Sequence, residues 1–372
     1  MTKQGSFKRA VRKRARESGQ RYTEARAAME KGESPERRVR PFEHEALQAH
    51  LEERYGIRIT SMQPITRFGW KDHPSTLKIE RKDGPAWVAR VFSSAADTVS
   101  RVEGDAEILK FLASHHFPAE RLAHDEPVSV LDGAGVIVTE FVDGFPTNEG
   151  RVESPAVTYE LASILGRLHA LPAAGGAVAR DGGSDEHGGG FYVGRPKQDL
   201  AAAMSVLLSV EDDVAPEGRK NFEWLRDQVE NADDAEGLPE ALTHGNYHAW
   251  AAVGEPGNIV IVGWAGAGRG PRLPALAWLL RTSAESNADE GGPEANVDAA
   301  VRGYREHVQL TDEELDRLAG VLNIKPLWLA CHDYRSLVQR GQTPTLDEGS
   351  WTSFRPEHGE QLAAYATAAF RS

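Results

Sequence analysis

Two histidines four residues apart, His244 and His248, have the chemistry to move a proton. They sit in a polar turn, Thr243-His244-Gly245-Asn246-Tyr247-His248. Imidazole titrates near neutral pH, so either ring has the chemistry of a general base. No carboxylate accompanies them. Asn246, between them, is neutral; it can neither accept a proton as a base nor supply negative charge. Asp185, Glu186 and His187 are of metal-ligating types, but adjacent residues in a Gly-rich run seldom converge on one ion, and the stretch reads as a loop. His169, in an apolar helical segment, reads as a packed scaffold residue.

The elements around the turn follow from pattern. Asn258 to Val262 is a short apolar, β-branched run bounded by Pro256-Gly257 and Gly263, which predicts a buried strand. Val253 to Gly257 has turn chemistry and joins two hairpin strands. Ala267 to Pro271 reads as a loop feeding an apolar helix from Leu273 to Leu280. The unit is therefore turn, hairpin, Gly-rich loop and helix.

This unit resembles the core of the aminoglycoside/choline-kinase-like phosphotransferases, small-molecule relatives of protein kinases. Members typically carry H-G-D-x-H-P-x-N, a hairpin, a V/I-D-W/F segment and a Gly-rich loop. Here His244, Gly245, His248, Trp264 and Gly266 to Arg272 match. The charged positions do not. The family's catalytic Asp is Asn246, its metal-binding Asn is Ala251, its metal-binding Asp is Gly263, and an Asp usual in the next helix is Ala275. In such enzymes the loop Asp receives the acceptor hydroxyl's proton, while the Asn and second Asp hold Mg²⁺ on the phosphates. Losing a general base alone costs roughly 10²–10⁴ in rate. The resemblance implies ATP as the nucleotide; the missing side chains argue against Mg²⁺, which needs oxygen ligands.

The resemblance spans residues 42 to 342 and implies an α+β, two-lobed protein-kinase-like fold. A small antiparallel-sheet N-lobe would cover residues 42–143 and a larger, mainly helical C-lobe residues 144–372. Strands are expected at Ile57 to Ile59, Ser75 to Glu80, Ala86 to Phe92, Val128 to Leu131 and Val136 to Val142. Arg90 matches the family's strand lysine, and Glu107, with Glu103 as an alternative, sits in a helix from Val102 to Ala113 where the family's glutamate pairs with that lysine. Glu140 to Val142, followed by Asp143-Gly144, matches the interlobe hinge, whose backbone at Glu140 and Val142 would meet an adenine. Phe68-Gly69-Trp70 reads as an ordinary turn rather than a phosphate loop. In the C-lobe, helices are expected at Tyr159 to Leu171, Lys197 to Leu208, Glu217 to Glu230, Ala295 to His307, Asp312 to Val321, Pro326 to Gln339 and Glu357 to Phe370. Trp328, Leu329 and Tyr334 are expected in the core.

Residues 1–41 are a different material, a basic arm. The first forty hold 13 Lys/Arg against 5 Glu, net +8; with −13 overall, the remainder carries −21. The arm reads either as a solvated or partly helical tail that touches the acidic body, or as a segment for an anionic partner such as nucleic acid or a membrane surface. No run approaches the roughly 18 apolar residues of a membrane span. The single cysteine, Cys331, cannot form an internal disulfide, which suits a reducing cytosol.

Three readings of function follow. The leading one is a non-catalytic, pseudokinase-like binder of a nucleotide, a small molecule or a protein partner. The alternatives are an active ATP-dependent phosphotransferase with a rearranged site using His244 or His248, and an anchoring protein that acts through its basic arm.

Overall fold

In β2 (Thr76–Arg81), Leu77 and Ile79 are buried while Lys78 and Glu80 face outward and pair at 2.7 Å. That alternation is the signature of a strand with one covered face. A computed structural model of the protein describes residues 44–65, 76–92, 98–144, 154–172, 175–180, 194–285, 292–344 and 354–372. The basic arm, Phe68-Gly69-Trp70 and the Asp185-Glu186-His187 run lie outside the described residues. The chain divides into two compact units, Met1–Gly56 and Ile57–Ser372. Of the first, helix α1 (His44–Tyr55) is described, with Leu47 and Leu51 buried one turn apart.

The second unit opens with a five-stranded antiparallel sheet. Its strands are β1 (Ile59–Pro64), β2, β3 (Trp87–Val91), β4 (Val128–Leu131) and β5 (Ala134–Glu140), in the order β1-β2-β3-β5-β4. β3 is central, and Trp87, Val88, Ala89 and Val91 are all buried, leaving Arg90 as its one charged residue. The β4–β5 hairpin closes on Asp132 and Gly133, both at positive φ (49° and 80°), the geometry that a two-residue Asp-Gly turn favours. Helix α2 (Thr98–Ser114) buries Val102, Ala106, Leu109 and Leu112 at helical spacing and packs on β5 and β4.

The rest is mainly helical. α3 (Pro155–His169) starts at Ser154, whose Oγ accepts from the Val157 N–H at 3.3 Å, with Pro155 in the first turn. It lies along α7 (Gly292–Arg305), where His169 Nδ1 meets the Tyr304 hydroxyl at 2.8 Å. α4 (Pro196–Leu208) and α5 (Arg219–Glu230) follow α3 in the chain. Two short ribbons come next: β6 (Glu240–Thr243) pairs with β9 (Gly268–Pro271), and β7 (Ala252–Val253) pairs with β8 (Val260–Ile261). Then come α6 (Leu273–Glu285), α7, α8 (Asp312–Gln339) and α9 (Pro356–Arg371).

Four expectations need correction. The expected strand from Asn258 to Val262 shrinks to two paired residues. Gly268–Pro271 is not a loop: its backbone pairs with β6, which requires no side chain, and a Cβ at Gly270 would run into the Arg195 guanidinium. The two helices expected at 312–321 and 326–339 are one helix of 28 residues, with Pro326 inside it. Proline there removes the donor for the carbonyl four residues earlier, but buried Leu322, Ile324, Leu327 and Trp328 carry packing through the site. Leu329, on the same helix, is 38% exposed rather than core.

The start of α8 is well specified. Thr311 Oγ1 accepts from the Glu314 N–H at 3.2 Å, and Glu314 accepts from the Thr311 N–H at 2.8 Å, a reciprocal cap. The Glu314 carboxylate, fully buried, also receives the Arg272 guanidinium at 2.7 Å. Thr311→Ala should therefore cost about 1 kcal/mol and lower the melting temperature by about 2 °C, measured by calorimetry. An unchanged transition would show that the cap does not hold the helix.

Candidate functional site

The two ribbons bring the His244–Ala251 turn beside the segment Val262–Gly266. Both histidines are held as structure. His244 is 4% exposed, packs edge-on against Tyr247 and Trp264, and approaches the Val262 carbonyl through Nε2 at 3.1 Å. A carbonyl only accepts, so Nε2 carries the hydrogen. His248 caps a one-turn helix: its Nδ1 accepts from the Trp250 N–H at 3.2 Å, so in the neutral ring the proton sits on Nε2. Burial pulls the His244 pKa down to about 4, and burial, Lys325 and His244 hold His248 well below the usual range. Both rings are neutral at pH 7. His169 is likewise a buried scaffold residue, pulled down to about 3 chiefly by burial.

A carboxylate that sequence reasoning missed dominates the other side of the site. The segment Pro118 to Glu120 runs beside β8: the Ile261 N–H donates to the Pro118 carbonyl at 2.8 Å, and the Glu120 N–H donates to the Ile261 carbonyl at 3.0 Å. This places the Glu120 side chain, 1% exposed, between the sheet and Gly263. Arg90 grips it with both terminal nitrogens, at 3.0 and 2.8 Å. The Thr139 hydroxyl donates to it at 3.0 Å, the Gly263 N–H at 2.8 Å and the Trp264 N–H at 3.5 Å. Burial alone would raise its pKa; the Arg90 charge and the converging donors overcome that and hold it below the usual value.

A second carboxylate, Asp105 on α2, accepts from the Gly266 N–H at 3.1 Å and pairs with Arg180. Burial pushes it up to about 6 against the pull of Arg180. Arg180 itself reaches the Ala267 and Arg101 carbonyls at 3.1 and 2.8 Å. Two acids from the N-terminal half thus pin the backbone of Gly263 to Gly266.

At the far side of the turn a cation enters. Lys325 on α8 donates from Nζ to Asn246 Oδ1 at 2.6 Å and stands 4.0 Å from the centre of the Trp278 ring. Burial brings its pKa down to about 7, with Asp199 pulling the other way.

The structure brings together Arg90, His244, Asn246, His248, Ala251 and Gly263, but not Glu107. Glu107 is exposed on α2, and the partner of Arg90 is Glu120. The expected pairing fails because helical spacing turns position 107 outward, whereas the bridge from Pro118 to β8 delivers position 120 inward. Glu140 ends β5, with its N–H donating to the Arg121 carbonyl at 2.8 Å, and Phe141 donates to the Ala86 carbonyl at 3.0 Å. Val142 follows at the expected hinge. Lys325 was also missed; its one signal is a charge inside the apolar run Val321 to Ala330.

Residues 65–319 match the model of the APH phosphotransferase enzyme family. The chain belongs to the APH family. Its fold is the two-lobed, protein-kinase-like α+β fold of that family. Similar solved structures include the amicoumacin kinase hAmiN in complex with AMP-PNP, Ca²⁺ and Ami, at 12% identity and TM-score 0.55, covering 88% of this chain and 96% of that one. Spectinomycin phosphotransferase APH(9)-Ia, in complex with ADP and spectinomycin, aligns at 13% and 0.55, covering 89% and 99%. The choline kinase LicA from Streptococcus pneumoniae aligns at 12% and 0.53, covering 86% and 98%. No curated protein sequence matches the chain.

The APH fold's Mg²⁺ does not fit the residues present. Ala251 and Gly263 offer no side-chain ligand atoms, and the Glu120 oxygens are already committed to five donors. Among the described residues no helix is long and apolar enough to cross a membrane.

Lys325 gives a pH test. Unfolded, it titrates near 10.5; folded, near 7. Below about pH 7 both states hold the proton and the cost of burying the ammonium is fully present. Between about 7 and 10.5 the folded chain has released a proton that the unfolded chain keeps, so stability rises with pH. Lys325→Met should therefore be more stable relative to wild type at pH 6 than at pH 9.5, by urea melts at both. A pH-independent difference would contradict a desolvated ammonium at this position.

Proposed function

We propose that this protein is a non-catalytic member of the APH family, a pseudokinase that binds a ligand without transferring phosphate. One observation carries the reading. The backbone N–H at the family's metal-aspartate position, Gly263, is bonded to Glu120, which is itself held by Arg90. A strand cation paired with a carboxylate is also part of active kinases; what supports the reading is that this carboxylate also takes the backbone N–H at the metal-aspartate position. Phosphoryl transfer depends on positioning and on charge placed where it develops. Here the base position is an amide already bonded to an ammonium, and neither metal position has a donor side chain. His248 uses its free lone pair to cap a turn, which argues against its service as a substitute base. The buried thiol of Cys331 suits a reducing compartment, and the cytosol is the location we propose.

Phosphate release and transfer assays with Mg·ATP and a panel of small-molecule alcohols should give no turnover above background. ATP, if it raises the melting temperature, should raise it equally with Mg²⁺ and with EDTA. Turnover dependent on Mg²⁺ would overturn the proposal. Gly263→Asp should not rescue the enzyme. Gly263 sits at φ +87°, so any side chain there costs about 1–2 kcal/mol. An Asn246→Asp carboxylate would meet Lys325 directly.

A further inference from the structure

Where the end of α7 meets α3, polar side chains converge well away in sequence from the histidine turn. Glycine permits the approach. A Cβ at Gly303 would lie 2.2 Å from the Tyr159 carbonyl oxygen, and one at Gly166 would lie 2.9 Å from the Tyr304 carbonyl oxygen. α7 ends at Arg305, and the His307 and Val308 N–H groups both donate to the Tyr304 carbonyl at 3.1 Å. Inside a helix, successive side chains point about 100° apart. Past the helix end that limit is gone, and Glu306 and His307 both turn onto α3. Ser163 Oγ lies 2.9 Å from His307 Nε2 and 3.4 Å from Glu306 Oε2, and those two atoms are 3.9 Å apart. The Tyr159 hydroxyl donates to the other Glu306 oxygen.

The three converging atoms are an imidazole nitrogen, a carboxylate oxygen and a hydroxyl oxygen. A point about 2.0 Å from each of them lies inside the triangle they form, close to the Zn–N and Zn–O bond lengths of about 2.0–2.2 Å. The base of a tetrahedron with bonds of about 2.1 Å has that same radius. Glu306 and His307 are exposed, so water can take the fourth position. Tyr159, bonded to the second carboxylate oxygen, orients the carboxylate as outer-shell partners of metal ligands do. Glu306 brings one negative charge, while Arg302, a turn earlier on α7, is a cation close enough to act on Tyr159. Coordination rather than net charge must therefore hold the ion. That selects for a transition ion: imidazole suits Zn²⁺, whereas Mg²⁺ keeps to oxygen ligands and its own water.

We propose that His307, Glu306 and Ser163 form a site for a divalent transition-metal ion of the Zn²⁺ type, completed by water, that ties α3 to the turn after α7. The site shares no residue with the histidine turn or with the segment Gly263 to Gly266. It stands or falls independently of the non-catalytic reading.

The test is calorimetric titration of the full chain, stripped with EDTA, dialysed and free of nucleotide, with ZnCl₂ and with MgCl₂. Zn²⁺ should bind saturably and Mg²⁺ should not compete with it. Glu306→Gln and His307→Ala should each weaken that binding at least about tenfold, and Tyr159→Phe, which acts through Glu306, about 10–100-fold. None of the three side chains is buried, so folded variants are expected, checked by their melting temperatures. Zn²⁺ held by other histidines would be indifferent to these changes. On the wild-type chain, Mn²⁺ as a paramagnetic stand-in should broaden the His307 ring signals in NMR spectra before those of the other histidines. No saturable Zn²⁺ binding, Mg²⁺ binding as tight as Zn²⁺, affinity unchanged in both Glu306→Gln and His307→Ala, or broadening that begins at another histidine would overturn the proposal.

Discussion

The Glu120 carboxylate is bonded to three separate segments: strand β3 through Arg90, strand β5 through Thr139, and the stretch after β8 through Gly263 and Trp264. A buried carboxylate is costly unless its lone pairs are filled. Here five donors fill them, and because they come from distant parts of the chain they fix the distance between the sheet and the ribbons. Asp105 repeats the device a few residues on, with Gly266 and Arg180 as partners. The segment Gly263 to Gly266, with its own side chains giving no charge, is held from outside by acids of the sheet-bearing half.

This changes what the pieces of an APH site do in this chain. The histidine turn survives as packing: His244 sits between rings, and His248 caps the next turn. The position of the family base is an amide that accepts from a lysine. The charged groups around this segment, Arg90, Glu120 and Asp105, bond the protein to itself. Buried pairs of this kind are a modest source of net stability, but breaking one leaves an uncompensated charge, so the arrangement is strongly enforced once present.

Much of this was legible in the residues. His244, Gly245, His248, Trp264 and the Gly-rich run kept their order and marked the fold, and Asn246, Ala251 and Gly263, where the resemblance implies charged or metal-binding side chains, motivate the non-catalytic proposal. Four of the five strands were found to within two residues because alternation and turn chemistry are local; the first, expected at Ile57 to Ile59, runs instead from Ile59 to Pro64. Glu120 and Lys325 were not found because their roles are non-local. Glu120 lies in an irregular segment whose position is set by pairing with β8, about 140 residues later in the chain. Lys325 lies beside a proline that seemed to end one helix and start another, and only the continuous α8 carries it to Asn246. The strand at Gly268–Pro271 escaped because backbone pairing leaves no hydrophobic period when the strand is built of glycine, arginine and proline.

The claim that the Arg90–Glu120 pair holds the sheet to the segment Gly263 to Gly266 is tested most directly by a double-mutant cycle in urea: Glu120→Ala, Arg90→Met and the two together. The account predicts that Glu120→Ala alone is severely destabilising, about 3–5 kcal/mol, because it strands a buried guanidinium. The double variant should recover at least about 1 kcal/mol of the summed single costs. Costs that add to within about 0.5 kcal/mol would show that the two side chains are not energetically coupled and would contradict the account.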